Sequence, residues 1–341
     1  MIFSNPLHAF CVQGILQIGS LINQEFIMGR FLLKRFFQTV IILIVISILA
    51  FALVHMIPGD PVYQMLGTDI SKEYHDQVYH SMGLDLPLVQ QYFSWIGNFL
   101  KGQMGYSYHF KMDVSELVAR RLPVTIILGI TSAIVSVILG LLFGIITAVK
   151  RGKAVDTILT VLANIGIATP IFWLAVLLIY IFSVKLGWLP SWGFTLPWVD
   201  FAKSMKQMIL PVICMSVGGI ASYTRQTRSS MLEVINQDYI RTARSKGLEE
   251  KKVISKHAVK NALIPILTLI GLTLRNCIGG SSIIETVFNI NGLGSVMVVA
   301  LNSRDYITLQ SGIIFLSLIT CVCNLLVDIA YAYADPRIRL E

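Results

Sequence analysis

Long apolar runs, separated by basic stretches and Gly/Pro punctuation, dominate the chain. A helix that crosses a bilayer needs about 20 mostly apolar residues. Six stretches meet that need: about 37–57, 124–148, 157–183, 208–224, 263–287 and 308–332. The fourth is the shortest, closed early by Arg225. Pro170, Pro211 and Pro265 lie in or at the starts of these runs, a placement tolerated in membranes where neighbouring helices satisfy the freed carbonyls.

Two connections are long. Segment 58–122 is rich in aromatics (Tyr92, Phe93, Trp95, Phe99, Tyr106, Tyr108, Phe110), which read as the core of a small helical subdomain rather than a ligand cage. Segment 225–262 reads as two short helices broken at Gly247, a candidate C′ glycine. Asp238 is the expected cap of the first. The second opens with Glu249-Glu250 and closes with Lys256, His257 and Lys260, charges that suit the helix dipole. Val253, Ile254, His257, Ala258 and Asn261 recur at helical spacing, giving one face for packing.

Composition rules out a soluble reading of the 341 residues: 55% are hydrophobic and 13% charged, against about 25% charged in ordinary soluble proteins. The net charge of +8 reflects where the cations fall. Arg30, Lys34 and Arg35, then Lys150, Arg151 and Lys153, then the cluster from Arg225 to Lys260, then Arg337 and Arg339 all share one side. By the positive-inside rule that side is cytoplasmic, so both termini are placed there and nucleic acid is not an expected partner. The expectation is an all-α integral membrane protein with six transmembrane helices. Its divisions are an N-terminal extension (1–28) expected to be dispensable, a first transmembrane helix (29–57), an external helical segment (58–122), a transmembrane domain (123–334) and a cytoplasmic tail (335–341). Cys214, Cys277, Cys321 and Cys323 fall in apolar runs and read as small hydrophobes.

Enzyme chemistry finds no foothold. There is no phosphate-binding G-x-x-x-x-G-K-[ST], no H-E-x-x-H and no G-x-S-x-G, so no catalytic residue and no metal site is assigned. Within the spans the only acids are Glu285 and Asp328, too few for a proton-coupled carrier. A pore-forming subunit energised by another chain remains.

At the cytoplasmic loop, Asp238-Tyr239-Ile240-Arg241-Thr242-Ala243-Arg244-Ser245-Lys246-Gly247 followed by Asn261-Ala262-Leu263-Ile264-Pro265 resembles the EAA loop of bacterial ABC importer permeases. More narrowly, it is similar to the B-type permease of the dipeptide/oligopeptide/nickel family. Val54-His55-Met56-Ile57-Pro58-Gly59-Asp60-Pro61, Gly83-Leu84-Asp85 and Glu285-Thr286-Val287-Phe288-Asn289 agree in order. The usual E-A-A triplet is Arg241-Thr242-Ala243 here.

The resemblance implies a multi-pass protein of the bacterial cytoplasmic (inner) membrane. A second, C-type permease would complete the pore, two ATPase subunits would hold ATP and Mg, and an extracytoplasmic binding protein would deliver cargo; this chain itself would hold no cofactor. Asp238, Tyr239, Arg241, Thr242, Ala243, Lys246, Gly247, Asn261 and Pro265 would form the ATPase-coupling loop, with Ala243 and Gly247 small enough for close docking. The implied cargo is di- or oligopeptide, with nickel or a metallophore as alternative; a membrane scaffold or receptor component is the rival of a different class.

Arg275 sits midway along the fifth run, where a cation is costly and should face protein or water. Arg275, Asn276 and Glu285, with Asn164 and Thr169 in the third run, are candidates for the translocation path or for intersubunit pairing. A cation pairing within the membrane is the expectation for Arg275, and helix packing is an equal reading for Asn164 and Thr169.

Overall fold

The structure is a computed structural model and describes residues 30, 33–56, 58–263, 266, 269–270 and 281–334. The first run forms α1 (Leu33–His55), most of whose apolar side chains are exposed. Three helices follow: α2 (Pro61–Leu66), α3 (Lys72–Ser81) and α4 (Leu88–Leu100). Asp60 caps α2 through the amide of Val62 at 2.8 Å, and Ser71 caps α3 through that of Tyr74 at 3.2 Å. A short antiparallel hairpin, β1 (Tyr106–Ser107) and β2 (Met112–Asp113), follows. It departs from the all-α expectation because the chain turns through left-handed residues at Gly105 and Lys111. The expected helical subdomain of 58–122 has Val62, Val78 and Phe99 buried, whereas Phe93 and Tyr106 are exposed.

The second run is α5 (Val114–Val149). It begins at Val114, directly after the hairpin and nine residues before position 123. The fourth run, expected over 208–224, is the much longer α8 (Phe201–Ile235), which carries the spanning helix onward through Arg225 and Arg228. α5 and α8 form the central pair. Gly140 and Gly144, four apart on one face of α5, lie against α8. A Cβ on Gly140 would run into Tyr223 and stand 3.0 Å from the Ile220 carbonyl; one on Gly144 would run into Thr227. Small residues at this spacing let two backbones approach. Beside them Ser136 Oγ donates to the Ser216 carbonyl at 3.2 Å, and Ser216 Oγ donates to the Ser132 carbonyl at 3.0 Å. Such bonds between membrane helices average about 0.6 kcal/mol each, so close packing carries most of the join and the hydroxyls set its register.

The third run is not one straight span. α6 (Ala154–Ala168) and α7 (Ile171–Leu178), the latter continued by a π-helical stretch to Lys185, meet at 107°. Pro170 has no N–H to continue the ladder. Thr169 before it is extended (φ −80°, ψ 123°), as a residue preceding proline prefers, and its hydroxyl donates to the Ile165 carbonyl at 2.7 Å. The break was legible in the polarity of Thr169-Pro170; the right-angle turn was not.

After α8 come α9 (Asp238–Ser245), α10 (Glu250–Lys252), a π-helical stretch Val253–Ala258 and α11 (Val259–Ala262). The chain closes with α12 (Ser282–Val287), α13 (Leu293–Asn302) and α14 (Tyr306–Ala334). Most of the fifth run lies outside the described residues. Among those described, four helices are long and apolar enough to cross a membrane, five if the bent pair counts as one span. The largest core joins α5, α7, α8 and α12 through Leu128, Ala175, Leu210, Cys214, Ile284 and Phe288.

Candidate functional site

Residues 238–261 of the expected coupling loop sit on a compact knob at the end of α8. α9 is amphipathic: Ile240 and Ala243 are buried, whereas Asp238, Tyr239, Arg241, Thr242 and Lys246 are exposed. Ile240 and Ala243 pack with Met231 of α8, Ala148 of α5 and Val253, Ala258 and Ala262 of the following helical stretch. The knob is therefore fastened to both central helices by an apolar root. Ala243 spends its small size inside this root, not on the outward face where it was expected.

Gln237, not Asp238, caps α9. It is extended (φ −74°, ψ 150°) and makes no side-chain cap bond; Asp238 opens the first turn, where an acid suits the dipole. Gly247 ends the helix at φ +76°, and its amide donates to the Arg244 carbonyl at 2.9 Å, the left-handed termination expected of glycine. Nothing lies within 4 Å of where its Cβ would be. Space for a side chain thus exists within this chain, and only the backbone conformation demands glycine.

Two further bonds hold the knob's shape. Arg244 clasps Glu250 with both ends of its guanidinium, at 3.0 and 2.7 Å. The pair holds the Glu250 carboxyl below and the Arg244 guanidinium above their ordinary ranges, chiefly through that hydrogen bond. Asn261 Nδ2 donates to Tyr239 Oη at 2.9 Å and to the His257 carbonyl at 3.1 Å, so two motif residues separated in sequence meet across the loop. Pro265 lies outside the described residues.

Behind the knob, Asp156 and Arg228 form an ion pair that sequence reasoning missed. Arg228 Nε and Nη2 reach the two carboxylate oxygens at 2.9 and 3.0 Å, and the Gly152 amide donates to Asp156 at 3.0 Å. Asp156 is buried and Arg228 partly exposed, and the pair ties the start of α6 to α8. The only sequence signal was a lone acid opening an apolar run, opposite a cation attributed to topology alone.

Of the path candidates, Arg275 and Asn276 lie outside the described residues. Asn164 is exposed on α6, and Thr169 is half-buried at the bend. Glu285 is fully buried and engaged by its own chain. Thr125 Oγ1 donates to its Oε1 at 2.7 Å, Ser281 Oγ to the same oxygen at 2.8 Å, and the Ser295 amide to its Oε2 at 2.8 Å. The carboxylate sits at the N-terminus of α13, where anions are favoured, and a Cβ on Gly292 would come within 2.6 Å of either oxygen. This arrangement gives Glu285 a structural task, joining α12, α5 and α13.

The sequence profile described as binding-protein-dependent transport system inner membrane component matches residues 140–340, and its N-terminal companion matches residues 28–129. The chain belongs to this family. A peptide transport system permease protein, so named, of Brucella abortus (strain 2308) is 39% identical over 92% of this chain and 100% of its own length. The oligopeptide transport system permease protein AppB of Bacillus subtilis (strain 168) is 38% identical, with the same shares covered. An inward-facing structure of the MetNI methionine ABC transporter superposes with a TM-score of 0.53 at 18% identity, covering 64% of this chain and 96% of that one; this likeness is one of fold. The protein is thus an ABC importer permease, a multi-pass membrane subunit that works alongside other permease, ATPase and substrate-binding subunits. The E-A-A-type loop carried the family in sequence, and its flanking matches carried the branch.

Proposed function

We propose that this subunit translocates di- or oligopeptides inward by alternating access, as half of a pore completed by a C-type permease. It crosses the membrane six times with both termini in the cytoplasm, residues 58–113 face the binding protein, and residues 1–27 are dispensable. ATP and Mg are held by two partner ATPases. The observation that carries the coupling reading is the knob 238–262: an exposed, charged outer face on a buried apolar root shared with α5 and α8. A push on such a knob moves two central helices as a rigid body instead of dissipating in a soft loop. The two peptide permease relatives support the cargo class.

The test replaces Gly247 in the reconstituted complex. Gly247→Val forces a β-branched residue into a left-handed position, at about 1–2 kcal/mol, and should abolish substrate-stimulated ATP hydrolysis while the protein still inserts. Gly247→Asn, which tolerates that conformation, separates strain from docking: it should keep the helix end yet still slow coupled transport by putting a side chain at the interface. Wild-type coupling in both variants would remove the docking assignment. Peptide uptake by the same preparation, with nickel uptake measured in parallel, decides the cargo.

A further inference from the structure

A cavity of about 610 Å³ opens where the end of α1, α4 and the start of α14 converge, well within the range of about 300–1,000 Å³ typical of ligand pockets. Its wall is unusual for a solvent cleft in two respects. Among the described residues, no Asp, Glu, Lys or Arg lines it. And Gln310, only 8% exposed, contributes a buried side-chain nitrogen that finds no hydrogen-bond acceptor among them. A buried amide donor left unpaired is costly and calls for an acceptor from outside the chain.

The other polar groups are already engaged or neutral. His55 reaches the Phe51 carbonyl at 2.9 Å and the Gln91 side chain at 3.0 Å, and His80 faces Asp85 at 3.1 Å. What remains on offer is aromatic surface from Trp95 and Tyr108, and neutral amides. That set offers no carboxylate, ammonium or guanidinium to form an ion pair with a charged terminus. It suits a carbonyl acceptor flanked by apolar groups, the chemistry of a peptide backbone away from its charged ends.

We propose that this cavity binds the uncharged middle of an extended peptide cargo, with the Gln310 amide donating to a backbone carbonyl, Trp95 packing on a side chain, and the charged termini left outside. The proposal rests on the peptide-import reading and narrows it: cargo longer than a dipeptide is favoured, because both charged ends must clear an uncharged wall.

The test uses the full complex with its partner permease, ATPases and binding protein in lipid nanodiscs. A penta-alanine peptide with a central benzoylphenylalanine is photoactivated, and the adduct is located by mass spectrometry. Labelling is expected on α4 or α14 at cavity residues, competed by unlabelled penta-alanine and not by alanylalanine or Ni²⁺. Gln310→Leu should raise the KM for pentapeptide uptake about three- to tenfold, the loss of one net hydrogen bond. Its thermal midpoint should hold, since the atom removed has no partner in the free protein. Trp95→Ala should weaken labelling independently.

Unchanged labelling and KM in both variants would overturn the proposal. So would an adduct displaced by short-chain phospholipid but not by penta-alanine, the mark of a lipid pocket. If the wild-type complex imports pentapeptide yet labels only outside the cavity, this inference fails and peptide import stands. If it imports no peptide at all, both fall.

Discussion

The knob 238–262 and the segment 58–113 are both long connections between spans, but they are held by different means. The knob rests on a cluster of buried apolar side chains shared with α5 and α8, with one ion pair outside it. Segment 58–113 is pinned by directional polar bonds to elements distant in sequence. Tyr92 Oη meets Ser47 Oγ of α1 at 2.7 Å, Ser311 Oγ donates to the Met104 carbonyl at 2.8 Å, and Ser107 Oγ donates to Asp305 at the head of α14. Within the segment, His75 bridges Asp60 and Asp76 at 2.9 Å each and stacks on Tyr63. Apolar packing is non-directional and resists shear, so it suits a part that transmits force. Polar pins set a precise geometry but can exchange partners one at a time, so they suit a part that meets changing partners.

The comparison breaks most severely if the apolar root is hollowed. Ile240→Ala removes a fully buried side chain and should cost about 2–5 kcal/mol. It should uncouple ATP hydrolysis from transport and raise hydrogen exchange across 238–262 while leaving exchange in 58–113 unchanged. Equal loosening at both ends would mean the two regions are one cooperative unit.

A smaller effect is expected from Asp305→Ala. That change orphans the Thr308 amide and hydroxyl as well as Ser107, at about 1–3 kcal/mol. Faster exchange should be confined to the hairpin β1–β2 and the first turn of α14, with coupling at the knob intact.

The smallest effect is pH-dependent and touches one region only. Hydrogen bonds to Asp76 and Asp60 raise His75 above its usual value. Its contribution is therefore complete below about pH 6.5, the unfolded value, and is lost as pH rises through the higher folded one. Burial pushes Asp60 up, but the His75 bond and the amides of Val62 and Tyr63 outweigh it and hold the carboxyl low, so it stays charged throughout that window. At the knob, Glu250 is held low by Arg244, and its contribution is lost only under acid conditions. Exchange over 61–81, corrected for intrinsic rates, should quicken between pH 6 and 8, that over 238–262 should not, and His75→Gln should flatten the difference.

Legibility in the sequence followed the range of the forces involved. Apolar runs, the Gly247 stop and the Thr169-Pro170 break are local, and each was readable within a few residues. Ala243 was misassigned because a small side chain serves a tight internal root as well as an external interface, and sequence does not say which way it faces. Glu285 was read as a path or pairing candidate because its actual partners, Thr125 and the Ser295 amide, lie on other elements. The hydroxyls of Ser132, Ser136 and Ser216 vanish into apolar runs for the same reason, as did the meeting of Asp156 with Arg228.

The enclosure of Glu285 also imposes an order on biogenesis. When residue 285 emerges from the ribosomal tunnel, Ser295, whose amide will hold its carboxylate, is still enclosed behind it. An acid at membrane depth carries an insertion cost of about 2.5–3.5 kcal/mol, and before α13 emerges its Oε2 lacks the Ser295 donor, so the nascent segment should wait at the translocon until the two can enter together. Chains truncated at residue 290 and fused to a reporter should therefore insert this segment less efficiently than chains truncated at 302 and fused likewise, as read by glycosylation mapping, and Glu285→Gln should narrow the gap. A bond that holds three helices in the finished protein is, during synthesis, a clock.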